Sequence, residues 1–156
     1  LGSGTPFVFR YALSIAQKYD AKIHIIHAHE PLTSSGQNMA DLYMFQEKSA
    51  DVFKQAVADA EKEIIQRLDI LCTKETASDP QGRERIASIE VIKQPPKQAI
   101  LAEAERLNAD MIIMGSHRHS VLADAMLGTT TLKVLHRSTI PVMVIRIPEG
   151  YQEEGF

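Results

Sequence analysis

A layered α/β fold, a parallel sheet with helices on both faces, is the architecture this sequence predicts, and three observations predict it. Apolar residues recur at helical spacing in some segments and crowd into short strand-like runs in others. The two kinds alternate in the order helix, strand, helix, strand, helix, strand, helix, strand. The run Met111 to Met114 contains no polar residue, as expected of a strand covered on both faces. The 156 residues are 44% hydrophobic, enough for a single domain over 1–156 with a sizeable core.

Composition narrows the function. A formal net charge of -3 supplies no basic field for nucleic acid, and no apolar run approaches the length of a membrane-spanning helix. Neither nucleic acid nor membrane is therefore expected as a partner. The solitary Cys72 excludes an internal disulfide framework and fits a reducing cytoplasm.

The chain opens on a turn, Leu1 to Pro6, with Thr5 as a cap candidate and Pro6 at the first helical position. Phe7 to Tyr19 then reads as an amphipathic helix with Val8, Tyr11, Ala12, Ile15 and Ala16 as its apolar row, ended by Asp20-Ala21. Lys22 to His29 is rich in β-branched residues and closed by Glu30-Pro31, which predicts a strand. His27 and His29 share one face of it. They are packing or polar histidines or a metal pair, and no metal site is expected because nothing nearby supplies a clear third ligand. After the polar loop Pro31 to Gln37, a long helix runs from Met39 to about Thr73, with Phe53, Val57, Ala60, Ile64, Leu68 and Leu71 on one stripe. A coiled coil gives the same pattern, but a stripe of a few turns lying between strands is expected to pack on a sheet. The apolar cluster Met39, Leu42, Tyr43, Met44 and Phe45 at its start is core, or else a lid or partner surface.

Thr76 to Arg83 reads as a turn-rich surface loop, and Ile86 to Lys93 as a strand with weaker alternation than the others. Gln94-Pro95-Pro96 ends it before a helix from Lys97 to Leu107 that buries Ile100, Ala104 and Leu107. The last helix carries Lys133, His136 and Arg137 towards its carboxyl end, where positive charge suits the dipole. Ile140 to Arg146 is a final apolar strand whose Pro141 places it at an edge, and Tyr151 to Phe156 reads as a frayed acidic tail.

Function is concentrated between Ala109 and Thr131. A buried strand stops at Gly115, and after a loop of about a dozen residues come Leu127-Gly128 and the threonines 129, 130 and 131, which open a helix. Glycine lets backbone approach a ligand, a helix start offers unpaired N–H groups, and threonine hydroxyls add donors, so the arrangement favours an anion and above all phosphate. The alternative is a plain connection in which Thr129 only caps the helix.

These residues resemble the nucleotide loop of the universal stress protein family, whose pattern is glycine, two residues, glycine, nine residues, glycine, then Ser or Thr. Gly115, Gly128 and Thr129 match at the right separations, and Arg118 stands at the second glycine position. There a side chain replaces bare backbone, although arginine also contacts phosphate well. The resemblance covers the chain from the Thr5-Pro6 helix to the Pro141 strand. It implies a flavodoxin-like, Rossmann-like five-stranded parallel sheet in the order 3-2-1-4-5, whose first strand, ending in an acidic residue, would lie upstream of Leu1. Gly115 then falls at the topological switch point. The nucleotide-binding positions carried over are Ala28, Met114, Gly115, His117, Arg118, Gly128, Thr129, Thr130 and Thr131. The implied ligand is ATP or another adenine nucleotide, with or without Mg2+, and the implied assembly is a homodimer through Pro141 to Ile145.

Three functional classes follow. The first is a cytoplasmic, adenine-nucleotide-binding regulatory protein of stress response. The second is an ATPase or nucleotidyl-transfer enzyme using the same crevice. Against it, the chain lacks GxxxxGK[ST] and any recognisable Ser-His-Asp or Cys-His signature, so no catalytic residue is assigned. The third is a dimeric interaction module with a degenerate nucleotide site, for which Arg118 is the argument.

Overall fold

The computed structural model describes residues 2, 4–30, 47–116, 127–151 and 153. The cluster from Met39 to Phe45 and the whole of the Pro31 to Gln37 loop lie outside them.

The first helix, α1 (Thr5–Tyr19), takes Gly4 rather than Thr5 as its N-cap, with Pro6 inside the first turn, where a missing N–H costs nothing. Pro6, Phe9 and Ala16 are its buried residues and Leu13 packs beside them, whereas Tyr11 of the expected row is 47% exposed. Both rows have the helical period, so spacing could not choose between them. Burying Phe9 leaves no hydroxyl to satisfy, and Tyr11 instead keeps its polar end in water while its ring sits 5.4 Å from that of Phe7. The helix ends where Asp20 turns left-handed, at φ 51°, and the N–H of Ala21 returns to the carbonyl of Ala16.

Strand β1 (Ile23–His29) runs parallel to β2 (Ile86–Lys93), and between them the chain forms α2 (Glu47–Glu75) and a short α3 (Pro80–Glu84). Leu71 and Cys72 of α2, together with Phe9 and Ile86, form a core cluster against which Leu13, Ile25 and Ile89 pack; Leu68 of α2 is buried as well. The long helix thus packs on the sheet, as its stripe predicted, although Ala60 is exposed and the half-buried Glu61 takes the next position round. Helix α3 lies where a plain loop was expected. Its start is encoded in Asp79-Pro80: the Asp79 carboxylate accepts the Gln81 N–H at 3.1 Å, and proline follows at the first helical position.

The weak alternation of β2 has a cause. The register shifts between Ile23 and His24, which pair with Ile86 and Ser88, so Ala87 is an extra residue that lets Ile86 and Ile89 face the same core. Beyond it, Lys93 faces Glu61 of α2 while Glu90 faces Arg106 on the opposite side.

Helix α4 (Pro96–Arg106) ends on left-handed Asn108, at φ 47°. It leads to β3 (Ile112–Ser116), α5 (Thr129–Leu135) and β4 (Val142–Arg146). Strand β3 pairs parallel with β4, from Ile112 opposite Val142 to Ser116 opposite Arg146. Helix α1 lies against both β1 and β3; α4 packs on β1 and on α5, which covers β3 and β4. The fold is therefore parallel strands with helices on both faces. Its described strands form two parallel pairs, β2 with β1 and β3 with β4, and not one five-stranded sheet. Each pair matches neighbours in the expected order.

The carboxyl-terminal segment departs from the expected frayed tail at its described residues. Arg10 donates through Nη2 to Glu153 at 2.6 Å and through Nη1 to the Tyr151 hydroxyl at 3.1 Å, and it also holds Glu75 of α2 with two bonds. Tyr151 in turn donates to Glu153 and packs with its ring tilted against that of Phe7, 5.1 Å between centroids. An acidic tail finds a fixed seat when an arginine fork and an aromatic face stand together.

Candidate functional site

The carboxyl end of β3 and the start of α5 are joined by one side chain. Thr131 is 3% exposed, and its Oγ1 donates to the carbonyl of Gly115 at 3.4 Å. One turn of helix is thereby tied to the last residues of the strand, whose Ser116 hydroxyl donates to the Ile145 carbonyl of β4 at 3.4 Å. Burial sorts the three threonines. Thr131 is spent on this tie, Thr130 is half-buried and Thr129 is exposed, so a ligand arriving from solvent meets the Thr129 hydroxyl.

Gly128 is the N-cap of α5, extended at φ -54° and ψ 148°, and no side-chain cap bonds the first turn. The N–H groups of that turn have no partner one turn back, so among the described residues they are donors open to a ligand. Gly115 plays a different part. A Cβ built there would stand 2.9 Å from Val8 Cγ2 of α1 and 3.4 Å from Ile147 Cδ1, and Ile147 also fills the space beside Gly4. The glycine at the strand end therefore admits α1 and Ile147 to close packing. Met114, half-buried and paired with Val144, precedes it.

Gly115, Thr131 and the α5 start that carries Gly128 and Thr129 are brought together. Ala28 stands at the carboxyl end of β1, opposite Ile92, in the other strand pair. His117, Arg118 and His119 lie outside the described residues.

Two of the three histidines of β1, His24 and His29, find protein partners. His24 Nδ1 lies 2.8 Å from the Ser88 hydroxyl, and His29 Nε2 lies 3.3 Å from Glu61, which also pairs with Lys93 at 2.9 Å. Lys93 first, and His29 after it, hold the Glu61 carboxyl below the usual glutamate range. Burial lowers the proton affinity of His27. Among the described residues no three His, Cys, Asp or Glu side chains converge as metal ligands would. Cys72 is fully buried, and burial pushes its thiol up to about 11, far from a reactive thiolate.

One charged feature was hidden from the sequence reading. Lys97, at the start of α4, lies beside Thr129, Leu132, Lys133, His136 and Arg137 in a single groove. The signal was present in the spacing of the last five, which recur every three and four residues on one helical face. Lys97 joins them only through the packing of α4 on α5.

Comparison with known proteins places these observations. A profile of the Universal stress protein family matches residues 3–146. Universal stress protein A homolog 2 of Coxiella burnetii is 31% identical over 141 residues, spanning 87% of this chain and 82% of that protein. Among solved structures, the universal stress protein UspA from Lactobacillus plantarum superposes with a TM-score of 0.59 at 20% identity, covering 89% of this chain and 87% of its own. A universal stress protein solved in complex with cAMP gives 0.52 at 17% identity, covering 94% and 90%. At these identities the structures establish the shared α/β fold. No described helix is long and apolar enough to cross a membrane.

Proposed function

This chain belongs to the universal stress protein family, and from that premise we propose that it is a cytoplasmic regulatory protein of stress response that binds an adenine nucleotide at the junction of β3 and α5. The observation that carries the reading is the Thr131-to-Gly115 bond, which holds the open first turn of α5 and the exposed Thr129 hydroxyl at the carboxyl end of a parallel strand. The residues fit the group. Uncapped N–H donors and a hydroxyl suit phosphate oxygens, and Gly128 keeps the approach to them clear of a side chain. The solved relative in complex with cAMP supports a nucleotide as the ligand class. In this reading Ala28 and Met114 border the base and sugar, His117 and Arg118 contribute from the intervening loop, and the protein acts by binding, as a homodimer joined through β4.

Titration calorimetry with ATP, AMP and adenosine tests it. Gly128→Val is expected to abolish nucleotide binding while the circular dichroism of the fold stays unchanged, because it obstructs the approach of phosphate without removing core volume. Unaltered affinity in that variant would sink the placement. Steady-state phosphate release from ATP by the purified protein would instead favour the enzyme reading.

A further inference from the structure

The groove between α4 and α5 is a concentration of positive charge on a chain whose net charge is -3. It is an open hollow of about 480 Å³ lined by Lys97, Thr129, Leu132, Lys133, His136 and Arg137, with no carboxylate among these described residues. Lys133, His136 and Arg137 are exposed, Lys97 is half-buried, and no Lys97, Lys133 or Arg137 ion pair exists among the described residues. Elsewhere among the described residues Arg10, Arg83, Arg85 and Arg106 all hold carboxylates. Three unpaired permanent cations gathered in one hollow form an electrostatic focus for an anion.

We propose that this groove receives a chain of phosphates that extends from Thr129 along α5 towards Arg137. From Thr129 to Arg137 the helical rise gives a length of about 12 Å, long enough for several linked phosphates and too long for one. Lysine ammonium groups and an arginine fork are the side chains that hold phosphate oxygens, and the Thr129 hydroxyl at the upper end adds a donor. The volume lies in the range of small-molecule clefts, about 300–1,000 Å³. An acidic protein partner would need a contact of about 800 Å² on each side, more than the six groove residues of α4 and α5 supply. The proposal rests on the nucleotide reading only for continuity at Thr129, where the phosphates of a bound nucleotide would enter the groove. It adds that the ligand this protein prefers is one with an extended polyphosphate, and that Lys97, Lys133 and Arg137 set the preference.

The test uses sodium tripolyphosphate, free of divalent metal, beside AMP as titrants. The unmodified protein should bind tripolyphosphate, with affinity falling as salt is raised. The double variant Lys97→Ala/Lys133→Ala should lose about tenfold or more, while AMP affinity changes by less than about twofold. Gly128→Val should abolish AMP binding and weaken tripolyphosphate less than the double variant does, since only the Thr129 end of the groove is obstructed. Failure of AMP to bind any form, with tripolyphosphate still dependent on the two lysines, would remove the nucleotide reading and leave the groove standing. Equal tripolyphosphate affinity in the unmodified protein and the double variant would overturn the proposal. So would displacement of tripolyphosphate by an oligoglutamate of the same charge at equal concentration, which would point to an acidic protein segment.

Discussion

At the scale of single residues, two glycines of one motif do different work. Gly128 opens a helix start to solvent, whereas Gly115 makes room for Val8 and Ile147. Gly115→Ala would place a methyl 2.9 Å from Val8 Cγ2, so that Val8 or the helix that carries it must shift. Overpacking of this kind costs about 1–3 kcal/mol, and urea denaturation should record it. The double variant Gly115→Ala/Val8→Ala should recover part of the loss, because the clashing methyl is gone; no recovery would mean that Gly115 is required by something other than this contact. The separations of Gly115, Gly128 and Thr129 set them in one motif, and the structure brings Gly115 beside the start of α5 through Thr131. The sequence did not reveal that Thr131 would be sealed inside with its hydroxyl on the Gly115 carbonyl, because three consecutive threonines are indistinguishable until helix phase decides which one faces the strand. Nor could it show that His29 turns to Glu61 across 32 positions of sequence, which settles that side chain on a carboxylate.

At the scale of elements, long periodic segments were legible and the exceptions have local causes. Helix α2 was readable because Val57, Ile64, Leu68 and Leu71 repeat over several turns, while α3 was missed because five residues cannot establish a period. On α1 the expected row is inward at Val8, Ala12, Ile15 and Ala16, and it departs at Tyr11, because the core on that side takes Phe9 instead. Tyr151 and Glu153 of the tail were misjudged because their partners lie on α1 and α2, far away in sequence. This last contact gives a pH prediction. The Tyr151 hydroxyl first, and Arg10 with it, hold the Glu153 carboxyl below its ordinary range. A carboxyl whose folded-state affinity for protons is depressed contributes stability that is present above its unfolded value and lost as pH falls through the folded one. The tail should therefore stay seated at neutral pH and loosen as pH drops below about 4.3, the usual glutamate value. Hydrogen exchange in the segment around Tyr151 should rise there, before the exchange of α2 does. Arg10→Ala should produce the same release at neutral pH; a tail that remains protected in that variant would show that the Phe7 ring, and not the ion pair, holds it.

At the scale of the whole molecule, the outer edge of β4 poses the remaining question. Among the described residues β4 pairs on one side only, with β3, and its Val142, Met143 and Val144 are half-buried apolar groups beside a row of unpaired N–H and C=O groups. Such an edge invites a second strand. A two-fold axis satisfies it with a copy of itself, because antiparallel pairing of identical strands is self-complementary. The strand runs from Val142 to Arg146, so the symmetric register sets Val144 opposite its own counterpart at the axis. Val144→Lys would then oppose two like charges directly across the pair, which is destabilising, and should shift the protein from dimer to monomer without reducing its helical signal. Val144→Glu alone should do the same. An equimolar mixture of the two should restore a dimer, since lysine then faces glutamate, and this recovery distinguishes strand pairing from a general loss of surface apolarity. Sedimentation at micromolar concentration reads all four states. A monomer for the unmodified protein would overturn the dimer, and single variants that remain dimeric would place the contact elsewhere; single variants that dissociate and do not recover on mixing would show that Val144 lies off the axis.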